Sequence, residues 1–137
     1  MYKMDEHQMT VYDYVTPYEE LLDQNNRWLR LAKAVDWEAL EQEYSANFGV
    51  SGKRAMPVRL AFGVLVVRDA LGLSDRETVR VIGESPYLQY FVGVELFDPR
   101  PCCVPATLAK FRRRIPAERI EDAVAPQRRF SKSKERP

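Results

Sequence analysis

Lys110-Phe111-Arg112-Arg113-Arg114 places four cations within five residues. A guanidinium forks onto a phosphate with two parallel hydrogen bonds, so such a run suits a polyanion, nucleic acid above all. Each duplex phosphate neutralised steepens the fall of log K with log salt by roughly 0.9, so four contacts give a slope of about −3.6. The same cations at a helix C-terminus also stabilise that helix through its macrodipole, by roughly 0.3–1 kcal/mol. Taken alone, the run fits both roles. Lys53 and Arg54, in the loop "VSGKRAM", and Arg76, just inside a helix start, are weaker phosphate candidates.

Other chemistry finds little support. The six glycines are scattered, and none builds a phosphate-cradling loop. His7 is the single histidine, so no Ser/His/Asp or Cys/His set can be assembled. Cys102 and Cys103 are the only cysteines. A disulfide between neighbours would be strained, and with one remote histidine they make no zinc site, so both read as reduced thiols. Most of Glu19, Glu20, Glu38, Glu41 and Glu43 lie on the polar faces of amphipathic helices, and the group reads as a solvated acidic surface. Metal-assisted phosphoryl transfer needs acids held rigidly around the ion, and nothing here supplies that frame. The expectation is no catalytic residue, no metal, no cofactor and no small-molecule substrate. Trp28 and Trp37 read as core rather than as stacking platforms for bases.

The charge is unevenly spread. Residues 1–50 hold four basic and ten acidic side chains, and residues 101–137 hold ten basic and four acidic. An acidic front with a basic back points one end towards an anion. The longest apolar stretch, Leu60 to Val67, is too short to cross a bilayer. The start, "MYKMDEHQMT", has no apolar leader core. A cytoplasmic protein is expected.

The elements that must position the cations are helical. Thr16-Pro17-Tyr18-Glu19 is a capping box, and the helix it opens turns Tyr18, Leu21 and Leu22 inward and ends near Asn25-Asn26. Arg27 to Ala34 forms a second helix. Asp36 caps a third, with Trp37, Leu40, Tyr44 and Phe48 on one face and Gly49 at its close. Pro57 opens "PVRLAFGVLVVRDALG", which is apolar nearly all round and closes at Gly72. A helix of that kind is central and buried. Only Leu73 and Ser74 separate it from the next helix, which starts on a second capping box, Ser74 with Glu77. So short a connection folds the new helix across the buried one, as in a helix-turn-helix. Ser85-Pro86 restarts the chain, and "YLQYF" supplies a dense apolar patch. A Pro-rich connection leads to "PATLAKFRRRI", anchored by Leu108, Phe111 and Ile115. "AERIEDAV" forms one more short helix. The fold expected is all-α, a compact multi-helix domain with a helix-turn-helix-like core around one buried central helix. Residues 1–15 read as a flexible lead, 16–121 as the domain and 122–137 as a basic disordered tail.

"NNRWLRLAKAVDWEALEQEYSANFG", "PVRLAFGVLVVRDALGLSDRETVRVIGESPYLQYFVG" and "TLAKFRRRI" together resemble the N-terminal helical domain of bacterial insertion-sequence transposases of the DDE class. The resemblance runs from Asn25 to Ile115, and "GLSDRETV…I…SPYLQYFVG" is its most specific part. It implies a domain that binds DNA at the element ends, followed by a longer RNase H-like domain with three metal-binding acids. Since the sequence ends soon after the "FRRR" helix, the expectation is a truncated transposase that neither cuts nor joins DNA by itself. Lys110, Arg112, Arg113 and Arg114 would contact phosphates, with Lys53, Arg54 and Arg76 in support. One departure is Val104-Pro105-Ala106-Thr107-Leu108, where relatives carry an Asp-Pro-Ser-Thr-Leu type of start. Valine cannot cap, and a lost cap costs about 1 kcal/mol, so a looser helix start is expected. The alternative reading is an interaction module that pairs with itself or with an intact transposase through "YLQYF" and the acidic helices, without touching DNA.

Overall fold

The computed structural model describes residues 18–46 and 56–135. Regular structure among the described residues is entirely helical. It comprises α1 (Tyr18–Leu21), α2 (Arg27–Ala34), α3 (Trp37–Ser45), α4 (Val58–Leu71), α5 (Asp75–Glu84), α6 (Pro86–Phe91), α7 (Thr107–Arg114) and α8 (Ala117–Glu135). The lead over 1–15, the Thr16-Pro17 start, Phe48, Gly49, Lys53 and Arg54 lie outside the described residues. No described helix is long and apolar enough to cross a membrane.

The helix opened by Pro57 is the axis of the fold. Val58, Ala61, Phe62, Gly63, Val64, Leu65, Val66 and Val67 are all buried in α4. Helices α3, α5, α6, α7 and α8 all pack against it, which is why an all-round apolar surface is tolerated there. Gly72 ends α4 in the left-handed conformation, at φ 65°, and its N–H donates to the Arg68 carbonyl. The capping box that follows is complete: Ser74 Oγ accepts from the Glu77 N–H at 3.1 Å, and Glu77 Oε1 accepts from the Ser74 N–H at 3.4 Å. Ser85 closes α5 through its N–H to the Ile82 carbonyl and opens α6 by accepting from the Leu88 N–H. One residue therefore turns the chain between two short helices.

The "YLQYF" segment is an inner surface, which corrects its reading as an exposed contact patch. Leu88, Gln89 and Phe91 are buried. Phe91 packs against Trp28 and Trp37 with tilted rings, centroids at 5.4 and 5.8 Å. Trp28 is buried in the core and Trp37 is half-buried against it, its Nε1 donating to the Ala32 carbonyl at 2.8 Å. Arg59 completes this corner. It donates to the Phe91 and Tyr90 carbonyls at 3.0 and 2.8 Å, satisfying the end of α6, and lies 4.9 Å from the Trp37 ring centroid. Gln89 binds both backbone groups of Asp98, at 2.7 and 2.8 Å, and so pins the Pro-rich connection.

Gly63 permits the closest approach in this packing. A Cβ there would lie 3.0 Å from Val92 Cγ1 and 3.2 Å from Val92 Cα. Alanine gains up to about 1 kcal/mol in helix propensity, but crowding a packed core costs about 1–3 kcal/mol. Val92 is itself buried and its backbone must move, so crowding wins. Gly63→Ala is expected to lower stability by about 1 kcal/mol, read as a lower urea midpoint at unchanged slope.

Three other expectations change. Helix α1 stops at Leu21, which is 77% exposed, rather than running inward to Asn25. Asn26 is instead the N-cap of α2, accepting from the Trp28 N–H, so it opens the next helix. Helix α7 begins at Thr107 with no side-chain cap, as the valine implied, yet it is formed. Its first N–H groups are taken by the Val104 and Pro105 carbonyls at 2.9 and 3.1 Å. Finally, α8 continues through Glu135 where a short helix and a disordered tail from 122 were expected. Ile120, Ala123, Val124 and Gln127 are buried at helical spacing, and this stripe carries the helix across the expected boundary against α4. Cys102 and Cys103 are free thiols, 3.9 Å apart at sulfur.

Candidate nucleic-acid interface

Helix α7 is held from below. Leu108, Phe111 and Ile115 are 0%, 2% and 5% exposed, so its inner face is anchored in the core. The four cations then divide by position. Lys110 and Arg113 are exposed and make no ion pair with a described residue. Arg114 is half-buried beside the Tyr44 hydroxyl. Burial pushes that phenol up from its ordinary value, while Arg114 draws it back down.

Arg112 has a protein partner. Its Nη1 and Nη2 donate to Asp75 Oδ1 and Oδ2 at 3.0 and 3.2 Å. Arg68, near the end of α4, donates from Nε to the same Oδ1 at 2.6 Å, and from Nη1 to Asp69 at 2.8 Å. Asp75 is the first residue of α5, so one carboxylate joins three helices: α4, α5 and α7. Arg76, the next residue, is exposed and makes no ion pair with a described residue. Sequence reasoning took "SDRE" as a helix start alone and missed Asp75 and Arg68. The signal lay in an acid at the first turn, but its partner is 37 positions away.

The Arg112 guanidinium, opposed by partial burial and aided by Arg68, holds the Asp75 carboxyl below its ordinary 3.8. A carboxylate depressed by folding adds stability above its unfolded pKa and loses it as pH falls through the folded value. The loss is therefore expected below pH 3.8. Thermal midpoints followed down an acid series are expected to fall less steeply there in Asp75→Asn than in the unmodified chain.

Just past Arg112, at the C-terminal end of α7, an open cleft of about 320 Å³ is lined in part by Arg114, Arg119, Glu43 and Glu118. Arg119 is paired with Glu43. Two acids balance two arginines, so this cleft is not an anion site. The acids otherwise behave as read: Glu20, Glu38, Glu41 and Glu43 are exposed. Lys110, Arg113 and Arg76 are the exposed cations of the predicted set that make no ion pair with a described residue.

Comparison with known families supplies the frame for this surface. The family model described as "Transposase domain (DUF772)" matches residues 16–114, from α1 to the end of α7. The chain belongs to this transposase-domain family. The uncharacterized protein ORF8 in the nfe locus of Rhizobium meliloti is 26% identical over 104 residues, covering 76% of this chain and 50% of that protein. The chain thus spans about half the length of that relative. No solved structure matches it. Within the transposase domain, the matched span closes on Arg114, so the basic run is its last feature and α8 follows it.

Proposed function

We propose that this transposase domain is the DNA-binding module of an insertion-sequence transposase, taking the element ends through the outer face of α7. The observation that carries this reading is the division of α7: an inner stripe fixed in the core, and Lys110 and Arg113 outside it with no ion partner among the described residues. Arg76 extends the surface from the start of α5. Arg112 acts by fixing α7 on Asp75, and Lys53 and Arg54 remain supporting candidates. The test is titration of duplex DNA, followed by fluorescence anisotropy, with Lys110→Ala/Arg113→Ala against the unmodified chain. Unchanged affinity would remove α7 from the role.

Binding without cutting is part of the proposal. Among the described residues no three of His, Cys, Asp and Glu gather as a metal site. Strand cutting of the DDE type rests on acids held around metal ions, so it would depend on a separate catalytic domain. Strand breaks made by the purified chain with magnesium or manganese would contradict this. The pairing alternative, with a second copy or an intact transposase, has lost its main contact, because Leu88, Gln89 and Phe91 lie in the core.

A further inference from the structure

We propose that Cys102 and Cys103 form a vicinal-dithiol site for trivalent arsenic in its neutral mono-organyl form, R–As(OH)2. The inference is independent of DNA binding.

Four observations carry it. First, the two Sγ atoms already lie 3.9 Å apart. A disulfide between neighbours would be strained, whereas one atom bridging both sulfurs closes a larger ring with less strain. Second, the peptide that carries them is held on both sides. Gln89 binds both backbone groups of Asp98, and beyond Cys103 the Val104 carbonyl accepts from the Thr107 N–H at 2.9 Å. Cys103 itself is 7% exposed and belongs to the core. Third, half-buried Cys102 lines a recess of about 220 Å³, with apolar walls at Ile82, Val94 and Pro101. The two charged residues of the lining, Asp98 and Arg100, pair at 2.7 Å. The recess therefore carries no net charge and suits a neutral ligand with an apolar substituent. Fourth, among the described residues no three of His, Cys, Asp and Glu gather as a metal site. Zinc takes three or four protein ligands, so two sulfurs leave it underligated. An organoarsenical makes its third bond to its own carbon and needs only the two sulfurs, which are soft ligands suited to a thiophilic centre.

Hydrogen bonding to Cys103 draws the Cys102 thiol below its ordinary 9.0, and the same contact pushes Cys103 up. Cys102, which faces the recess, therefore supplies the attacking thiolate. Its sulfur forms the first S–As bond, and one hydroxyl leaves as water with the proton Cys102 gave up. Cys103 forms the second S–As bond, and its thiol proton leaves with the other hydroxyl as a second water. Arsenic stays trivalent throughout, so the step needs no oxidant or reductant.

The probe is phenylarsine oxide, which hydrates to this form, added to the reduced full chain and followed by intact mass. A single adduct per chain is expected, resistant to excess monothiol and released by a small vicinal dithiol. Cys102→Ser and Cys103→Ala are each expected to weaken capture about a hundredfold or more, because the second bond is no longer intramolecular. Cys102 is half-buried, so the thermal midpoint of Cys102→Ser is expected to stay near that of the unmodified chain, which separates lost capture from unfolding. The unmodified chain unfolded in urea keeps both cysteines but not their setting, and is expected to release its arsenic at roughly tenfold less dithiol. Equal release from folded and unfolded chain, or monothiol-resistant capture that survives Cys102→Ser, would overturn the site.

Discussion

Replacing Phe111 by alanine is expected to lower stability by about 3–5 kcal/mol. Phe111 is 2% exposed and sits between Leu108 and Ile115 on the inner face of α7. Removing a buried aromatic loses its transfer free energy and leaves a cavity that rigid neighbours fill poorly. Two features make collapse difficult here. Helix α4 beneath is hemmed in by five other helices, and α7 is also tied at Arg112 to Asp75. Helix α7 has no side-chain cap, so its order depends on this anchor more than a capped helix would. The loss would appear as a lower urea midpoint. A loss below about 1 kcal/mol would mean that α7 is not seated in the core as described.

Lys110→Ala/Arg113→Ala is expected to do the reverse, leaving stability nearly unchanged and weakening DNA binding. Both side chains are exposed and make no ion pair with a described residue, so surface substitution there should stay within about 0.5 kcal/mol. If each cation neutralises one phosphate, removing both flattens the salt slope by about 1.8 and weakens binding on the order of tenfold to a hundredfold. The weakening should be similar for all sequences, since phosphate contacts position a protein without reading bases. A loss confined to one sequence would point to base contacts instead.

Much of this was legible in the sequence because it is local. Pro57, Gly72 and an unbroken apolar surface define α4, and Ser74 with Glu77 defines the start of α5. Leu108, Phe111 and Ile115 separate the inner face of α7 from its cations by spacing alone. What escaped depends on distant partners. Nothing near Arg112 distinguishes it from Arg113; Asp75 does, and only the packing of α5 against α4 brings it there. The same holds for "YLQYF": apolar residues at that spacing suit a docking patch or a core face, and Trp28 and Trp37 decide for the core. Arg59 reads as an ordinary surface cation until the end of α6 arrives above it. The α8 boundary was different. Ile120, Ala123, Val124 and Gln127 fall at i, i+3, i+4 and i+7, a helical stripe that the basic composition beyond Ala125 and the proline at 126 obscure.

The central claim is that α7 is fixed by Asp75 at one arginine and free to meet DNA at the next. Salt-dependent DNA binding by Arg113→Ala and Arg112→Ala, measured side by side, tests it most directly. Arg113→Ala should flatten the slope of log K against log salt by about 0.9, while Arg112→Ala, whose guanidinium is held by Asp75, should leave it nearly unchanged. Equal flattening by both, or by Arg112→Ala alone, would contradict the account.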